Sequence, residues 1–293
     1  MADPLEALRR PIVPLDPDPS FTIRLRSHLE RALVEGDEVM PALESPSRTE
    51  STNVTPPADG DIAFFSLHVP SADRARAFYG EVLGWRFGDP MEPGGYDRIV
   101  NLSLPGGVWD GEGVPGVPNP GVHLVRHVAD LAASSAKVRA LGGTASEPEV
   151  TPYGSRARCT DDQGNGFALL QHPPGVAQSA QNGERPGDLA YITIAPGDEQ
   201  LAATFYGGLF GWQFRPGSVE HALQVEGPTP QTGMWGGTGR PNVMLMYRVD
   251  DVAVAVAKVR ALGGEATDPA QMPYGVTSDC VDDQGMAFYL GQL

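Results

Sequence analysis

Three histidines recur at a spacing that could support chemistry near neutral pH. His68 closes the run IAFFSLHV (62–69), and His123 and His127 fall four positions apart in GVHLVRHV (121–128). An imidazole titrates near pH 6.5, so it can act as a general base or as a metal ligand. If both runs are strands that face each other, His68, His123 and His127 converge and could hold zinc or iron. The alternative is that each imidazole satisfies a local hydrogen bond, with His68 and His127 near the rim.

Two pairs of adjacent carboxylates also suggest acid–base chemistry. Asp161-Asp162 and Asp282-Asp283 each precede a Gln-Gly dipeptide. Aspartates in this position usually accept hydrogen bonds from the backbone N–H groups of a turn. We therefore predict two structural turns rather than two catalytic dyads.

The bulk composition excludes several classes of partner. The chain has 293 residues, a net charge of −16 and 41% hydrophobic residues. Nucleic acids and anionic membranes require clustered Lys and Arg, so we expect neither as a partner. No apolar run is long enough to span a bilayer, and the start lacks a secretory signal. The two cysteines, Cys159 and Cys280, have no CxxC partner, and we expect buried free thiols in a cytoplasmic protein.

The chain is an internal duplication. KVRALGG occupies residues 137–143 and again 258–264, which is 121 positions later. AFYGEVLGWRF (77–87) is similarly matched by TFYGGLFGWQF (204–214). Repetition at nearly the same long period, here 121 and 127 positions, indicates repeated structural units. The chain therefore carries two copies of one domain, and the differences between them should show where a polar site survives.

Hydrophobic periodicity predicts the same order of elements in each copy. In the first copy we expect strands at 62–69, 85–88, 97–104, 121–128, 156–160 and 167–171, and helices after Ser71 or Asp73 and at 131–141. In the second copy we expect strands at 189–195 and 243–249 and helices at 199–209 and 251–262. The Gly- and Pro-rich stretches 105–121 and 226–242 are predicted to be loops.

The chain start differs from the two copies. Prolines break the first 20 residues, an amphipathic helix is predicted at 21–35, and residues 41–60 are rich in Pro, Ser, Thr and acidic side chains. We predict that 1–60 forms a helical arm and linker that could cover a neighbouring domain or support a homodimer. The two domains are expected at 61–173 and 187–293, joined by a linker at 174–186.

The order of these motifs resembles a known superfamily. The paired FY…GW motifs, the KVRALGG helices and the DDQG turns are similar to the glyoxalase, bleomycin-resistance and dihydroxybiphenyl-dioxygenase proteins of the vicinal oxygen chelate superfamily. Within it, they resemble actinobacterial glyoxalase-like proteins labelled antigens or hydroxylases. The resemblance implies an α+β fold with two tandem domains, each built from paired βαβββ modules that form an open curved barrel. The ligand is expected on the concave face.

The resemblance also implies where a metal would bind in this superfamily. The aligned ligand positions of the first copy are Phe64, His123 and Ala168, of which only His123 can coordinate an ion. A fourth position falls in 97–104, where Asp97 is the one nearby carboxylate. We therefore expect no metal cofactor, although His123 could contribute to a divalent site.

The aligned positions of the second copy carry still weaker metal ligands. They are Tyr191, Met244 and Tyr289, whose rings and sulfur suit the stacking of a flat organic molecule better than a hard cation. Trp109 and Trp235 are expected in loops that could close over such a ligand.

Two functions follow from these expectations. The first is metal-independent binding of an aromatic or amphipathic molecule, such as a metabolite or an antibiotic, with Phe64, His68, His127 and Ala168 among the contacts. The alternative is an enzyme, a lyase, isomerase or oxygenase, that acts on a small oxygenated substrate and uses His123 as catalytic group. A further option is that the second copy only supports the first.

Overall fold

A computed structural model of the chain describes residues 57–88, 96–111, 113–175, 183–217, 220–236 and 242–293. The predicted helix at 21–35, and the homodimer contact expected through the arm, lie outside the described residues. Among the described helices, each is too short or too polar to cross a membrane.

The first copy forms an eight-stranded mixed sheet with two helices. The helices are α1 (Ala72–Leu83) and α2 (Leu131–Ala140). The strands are β1 (Ile62–His68), β2 (Asp97–Ile99), β3 (Gly106–Trp109), β4 (Gly121–His127), β5 (Thr144–Ala145), β6 (Glu149–Thr151), β7 (Gly154–Thr160) and β8 (Gly166–Gln171). Their spatial order is β2-β3-β1-β4-β8-β7-β5, with β6 paired to β7. The opening strands β1 and β4 of the two modules therefore lie side by side at the centre.

The second copy repeats this topology in a nine-stranded sheet. Its helices are α3 (Glu199–Phe210) and α4 (Val252–Ala261). Its strands are β9 (Leu189–Ala195), β10 (Gln213–Pro216), β11 (Ala222–Glu226), β12 (Thr232–Trp235), β13 (Asn242–Arg248), β14 (Glu265–Ala266), β15 (Ala270–Met272), β16 (Gly275–Val281) and β17 (Ala287–Gln292). The order is β10-β11-β12-β9-β13-β17-β16-β14, and β15 pairs with β16. The α+β fold with two tandem modules is confirmed.

Local sequence sets the helix boundaries. The Ser71 and Asp130 side chains accept hydrogen bonds from backbone N–H groups in the first turns of α1 and α2. Gly84 ends α1 in the left-handed conformation, with φ at 68°. The predicted bounds of the four helices agree closely with those observed.

Two predicted loops contain strands. β3 lies inside the stretch 105–121, and β12 lies inside 226–242, so Trp109 and Trp235 are strand residues. Glycine is needed in β3 because a Cβ on Gly106 would lie 2.5 Å from the Phe65 ring. Conversely, the strand predicted at 97–104 ends at Ile99. The Gly-rich composition suggested loops, but these glycines permit close packing within strands rather than turns.

One hydrophobic core spans both domains. Alternate residues of the central strands, such as Leu67, Leu124 and Leu245, join the buried faces of all four helices in a single cluster. Helix α1 contacts α4, and α2 contacts α3, so each helix packs against a helix of the other domain. The opposite face of each sheet, which we call the helix-free face, contributes separate small clusters.

The Asp-Asp-Gln-Gly turns tie the domains together. Asp161 Oδ1 accepts from the N–H groups of Gln163 and Asn165, so the predicted capping role is confirmed. Its Oδ2 also accepts from the Tyr206 hydroxyl of the second domain at 3.1 Å. The reciprocal bond runs from the Tyr79 hydroxyl to Asp282 Oδ2 at 3.0 Å. The FY and DDQG motifs of opposite copies therefore form two matching cross-domain contacts.

The two contacts differ in one respect that predicts unequal stability effects. Asp161 Oδ2 also accepts from Asn165 Nδ2, whereas the Tyr79 hydroxyl is the one donor to Asp282 Oδ2 in the described part of the chain. We expect Tyr79→Phe to lower the free energy of unfolding by about 1–3 kcal/mol, because it leaves a buried carboxylate oxygen unpaired. Tyr206→Phe should lower the free energy of unfolding by less, because Asp161 Oδ2 keeps its hydrogen bond from Asn165. Urea denaturation of both variants measures the difference, and equal or reversed losses would contradict this account.

Candidate functional site

The helix-free face of the first sheet collects most of the predicted site residues. Strand alternation sends Phe64, Ser66 and His68 of β1 to this face, and β4 adds His123 and Val125. Ser66 lies opposite His123 in the antiparallel β1–β4 pair. Strand β8 continues the surface with Ala168 and Leu170, which cluster with Val125.

A series of five rings crosses this face. The Phe64 and Tyr96 centroids are 5.6 Å apart, and those of Tyr96 and Trp109 are 4.8 Å apart. The series continues from Trp109 to His68 at 6.5 Å and from His68 to His123 at 5.7 Å. Phe64, Tyr96 and Trp109 are partly exposed, whereas the two imidazoles are buried. The rings therefore lead from the surface to a buried polar end.

His123 is a buried polar group without a partner. The residue is only 2% exposed, and neither nitrogen of its imidazole ring makes a hydrogen bond. Burial lowers the pKa of His123 to about 3, and His68 and Arg156 add to the effect, whereas an interaction with the Phe167 backbone opposes it. That backbone interaction does not reach hydrogen-bond geometry. The ring is therefore neutral at neutral pH and offers one donor and one acceptor.

The other two predicted histidines occupy different surroundings. His68 is buried, not near the rim, and its Nε2 lies 3.1 Å from the Ser66 hydroxyl. Burial lowers the pKa of His68 to about 4. His127 instead pairs with His172, with 3.0 Å between their Nδ1 atoms. The structure therefore brings His68 and His123 together and places His127 in a separate pair.

Two arginines on the same face were missed in the sequence. In the β7–β8 pair, Arg156 lies opposite Leu170 and Arg158 lies opposite Ala168, so both belong to the helix-free face. Arg156 forms an ion pair with Glu149 at 2.8 Å, and its buried Nε has no hydrogen-bond partner. The alternation of GSRARCT could have shown that both arginines lie on one face of the strand. The second copy carries Thr277 and Asp279 at the corresponding positions.

The helix-free face of the second sheet is filled by its own side chains. Tyr191, Trp235, Met244 and Tyr289 are each at most 3% exposed and pack in one cluster. The Tyr289 hydroxyl donates to Met244 Sδ at 3.2 Å. These four predicted ligand contacts are brought together, but they contact each other within a closed core.

The metal ligand set of the superfamily does not fit these residues. The aligned positions Phe64 and Ala168 carry no coordinating atom. Asp97 points to the helix side of the sheet, where it forms an ion pair with Arg76 at 3.3 Å. Within the described ranges, no group of three or more His, Cys, Asp or Glu side chains is placed to hold a metal ion. Among the aligned positions of the first copy, His123 alone carries a coordinating atom, which is too few ligands for a divalent cation.

Comparisons with known proteins agree with this architecture. Residues 64–170 match the family described as glyoxalase-like domain. The anthracycline biosynthesis protein DauV of Streptomyces sp. (strain C5) is 25% identical over 265 residues, which cover 80% of this chain and 94% of that protein.

Solved structures with little sequence identity share the fold. The Mn(II)-bound glyoxalase from Novosphingobium aromaticivorans has a TM-score of 0.60 at 16% identity, over 81% of this chain and 82% of that one. The 2,3-dioxygenase LapB from Pseudomonas sp. KL28 has a TM-score of 0.59 at 14% identity, over 82% and 93% of the two chains. Residues 64–170 are therefore a glyoxalase-like domain of the vicinal oxygen chelate superfamily, and the chain joins it to a second domain of the same fold.

Proposed function

We propose that the first domain binds a planar, oxygenated aromatic molecule on its helix-free face without a metal ion. The observation that carries this proposal is the buried, neutral and unpartnered imidazole of His123 at the end of the ring series. An unpaired buried polar group costs about 1–3 kcal/mol, and a ligand that pairs with it offsets that cost. A hydroxyl or carbonyl oxygen on the ligand supplies the partner.

The surroundings of His123 favour a flat ligand. Phe64, Tyr96 and Trp109 present ring faces and edges near the surface, and Val125 and Leu170 add aliphatic area. Contacts between aromatic rings contribute about 0.5–1.5 kcal/mol each beyond the burial of apolar area. A fused aromatic system can contact several of these side chains at once.

Charge on the same face favours electron-rich oxygens. Arg156 and Arg158 flank the surface, and the buried Arg156 Nε has no hydrogen-bond partner within the described chain. Arginine binds carboxylate or phenolate oxygens with good geometry. DauV, a similar protein, is named for anthracycline biosynthesis, which supports a hydroxylated polycyclic ligand for this chain.

The second domain has a different role in this proposal. Its equivalent face is closed by Tyr191, Trp235, Met244 and Tyr289, which fill the space that a ligand would occupy. We infer that this domain supports the first through their shared core. The buried free thiols of Cys159 and Cys280 suit a reducing cytoplasm, where we place the protein.

A catalytic role for His123 is the second candidate. The unprotonated and unpartnered ring favours it, because such a nitrogen can accept a proton from a bound substrate. A pKa of about 3 makes the imidazole a weak base, however, and this is why binding is the function we prefer.

The binding proposal is tested with two matched probes. Isothermal titration calorimetry should show that a dihydroxyanthraquinone sulfonate binds more tightly than anthracene sulfonate, which lacks the ring oxygens. We expect His123→Phe to weaken binding of the dihydroxyanthraquinone sulfonate about tenfold, equivalent to about 1.4 kcal/mol. The affinity for anthracene sulfonate should change little.

Two controls test whether the site lies in the first domain and whether it needs a metal ion. Met244→Leu, at the duplicated position of the second domain, should leave both affinities unchanged. A chelator should not alter binding if no metal takes part. One divalent metal per chain that disappears in His123→Ala would overturn the metal-independent proposal.

The neutral state of the two imidazoles predicts a pH dependence of stability. Their pKa values, about 4 for His68 and about 3 for His123, lie below the ordinary 6.5 that applies in the unfolded chain. The unfolded chain therefore binds more protons below pH 6.5, and the free energy of unfolding falls as the pH is lowered toward 3. We expect a shallower fall for His68→Gln/His123→Gln in urea denaturation at a series of pH values. Parallel curves for variant and wild type would show that these residues do not cause the effect.

A further inference from the structure

A small crevice lies between the two domains, on the helix side of the first sheet. Its volume is about 40 Å³, and it is lined by β4, by the start of β8 and by residues of β9, α3 and β13. A single water molecule needs about 10–15 Å³ measured in this way. The crevice therefore has room for a molecule of a few heavy atoms.

Arg126 contributes a buried positive charge to this crevice. It is 1% exposed, its Nη1 donates to the Gly60 carbonyl at 3.0 Å, and its guanidinium lies 4.7 Å from the centre of the Trp212 ring. Burial lowers the pKa of Arg126 to about 10, which leaves it charged at neutral pH. No carboxylate of the described chain lies within ion-pair distance.

The two nearest aspartates are engaged elsewhere. Asp61, which acts on Arg126 at longer range, accepts backbone N–H bonds from Ala58 and Thr229. The Asp161 carboxylate accepts four hydrogen bonds, two from backbone and two from side chains. Neither carboxylate pairs directly with the guanidinium, so its charge is incompletely compensated.

Asn165 supplies a second unsatisfied group. Its Nδ2 donates to Asp161 Oδ2 at 2.6 Å, which fixes the amide orientation. Its Oδ1 is buried and has no hydrogen-bond partner. The crevice thus combines a cation with a free acceptor, and the acceptor requires a donor.

The duplicated copy shows that the fold does not require these polar groups. The positions that correspond to Arg126 and Asn165 carry Tyr247 and Met286. Both are buried in the hydrophobic core, and Tyr247 packs edge-on against Trp85 at 5.1 Å. The first copy therefore has a buried charge and an unpaired amide oxygen where its duplicate has ordinary apolar packing.

We infer that this crevice binds a small planar monoanion of the carboxylate type, and that it prefers one that carries an O–H group. The anion accepts hydrogen bonds from the Arg126 guanidinium, whose planar geometry matches two oxygens on one carbon. The O–H group donates to Asn165 Oδ1. Bicarbonate has this combination within the available volume, whereas formate lacks the donor.

Thermal unfolding in a series of salts tests the inference. At fixed pH and ionic strength, sodium chloride is replaced stepwise by sodium bicarbonate or sodium formate. We expect a saturable rise in the unfolding temperature with both, because a ligand that binds only the folded chain stabilises it. Bicarbonate should bind about tenfold more tightly than formate, as expected for one extra hydrogen bond to a buried acceptor.

Variants taken from the duplicate copy provide matched controls. Arg126→Tyr should abolish the response to both anions, and Asn165→Met should remove only the preference for bicarbonate. If Arg126→Tyr does not fold, broadening of the carbon-13 signal of labelled bicarbonate by the wild-type protein, reversed by formate, is the second measurement. The inference would be overturned if the unfolding temperature of the wild type did not respond to the anions, or if Arg126→Tyr responded as the wild type does. Absence of line broadening would overturn it as well, and water would then be the occupant of the crevice.

Discussion

The packing of each helix against a helix of the other domain is the constraint on which the rest of this structure depends. The two sheets share one hydrophobic core, and two cross-domain Tyr–Asp hydrogen bonds lie within it. Most buried hydroxyl and carboxylate groups have a hydrogen-bond partner, and here the FY motif of one copy and the DDQG turn of the other supply each other's partners. The helix-free faces take no part in this contact and were free to diverge.

Divergence has produced two different surfaces from one topology. In the first domain, small or polar side chains at Ser66, His123 and Ala168 leave an imidazole without a partner beside a series of rings. In the second, Met244 and Tyr289 occupy the places of His123 and Ala168, and together with Tyr191 they close the face. The binding role that we propose for one domain and the supporting role for the other rest on differences in side-chain volume and polarity on a shared backbone.

Duplication also makes the unusual residues easy to recognise. Arg126 and Asn165 stand where the other copy has an apolar pair, and Arg156 and Arg158 stand where it has Thr277 and Asp279. A buried charge costs several kcal/mol unless it is paired, and the apolar packing of Tyr247 and Met286 shows that the fold does not require one at the position of Arg126. The buried charge of Arg126 therefore supports the anion site that we propose rather than a requirement of the fold.

The sequence by itself determined the duplication, the four helices, the central strands and the capping role of the turn aspartates, because these depend on local periodicity and hydrogen bonding. It also identified His123 as the one metal-capable residue among the aligned positions. Only the tertiary structure decided that His68 joins His123 while His127 pairs with His172, and that Arg126 lies buried between domains. Those outcomes depend on strand register and on contacts between distant segments. A register shift of one residue would send each side chain to the other face of the sheet, and no local sequence pattern encodes the distant contacts.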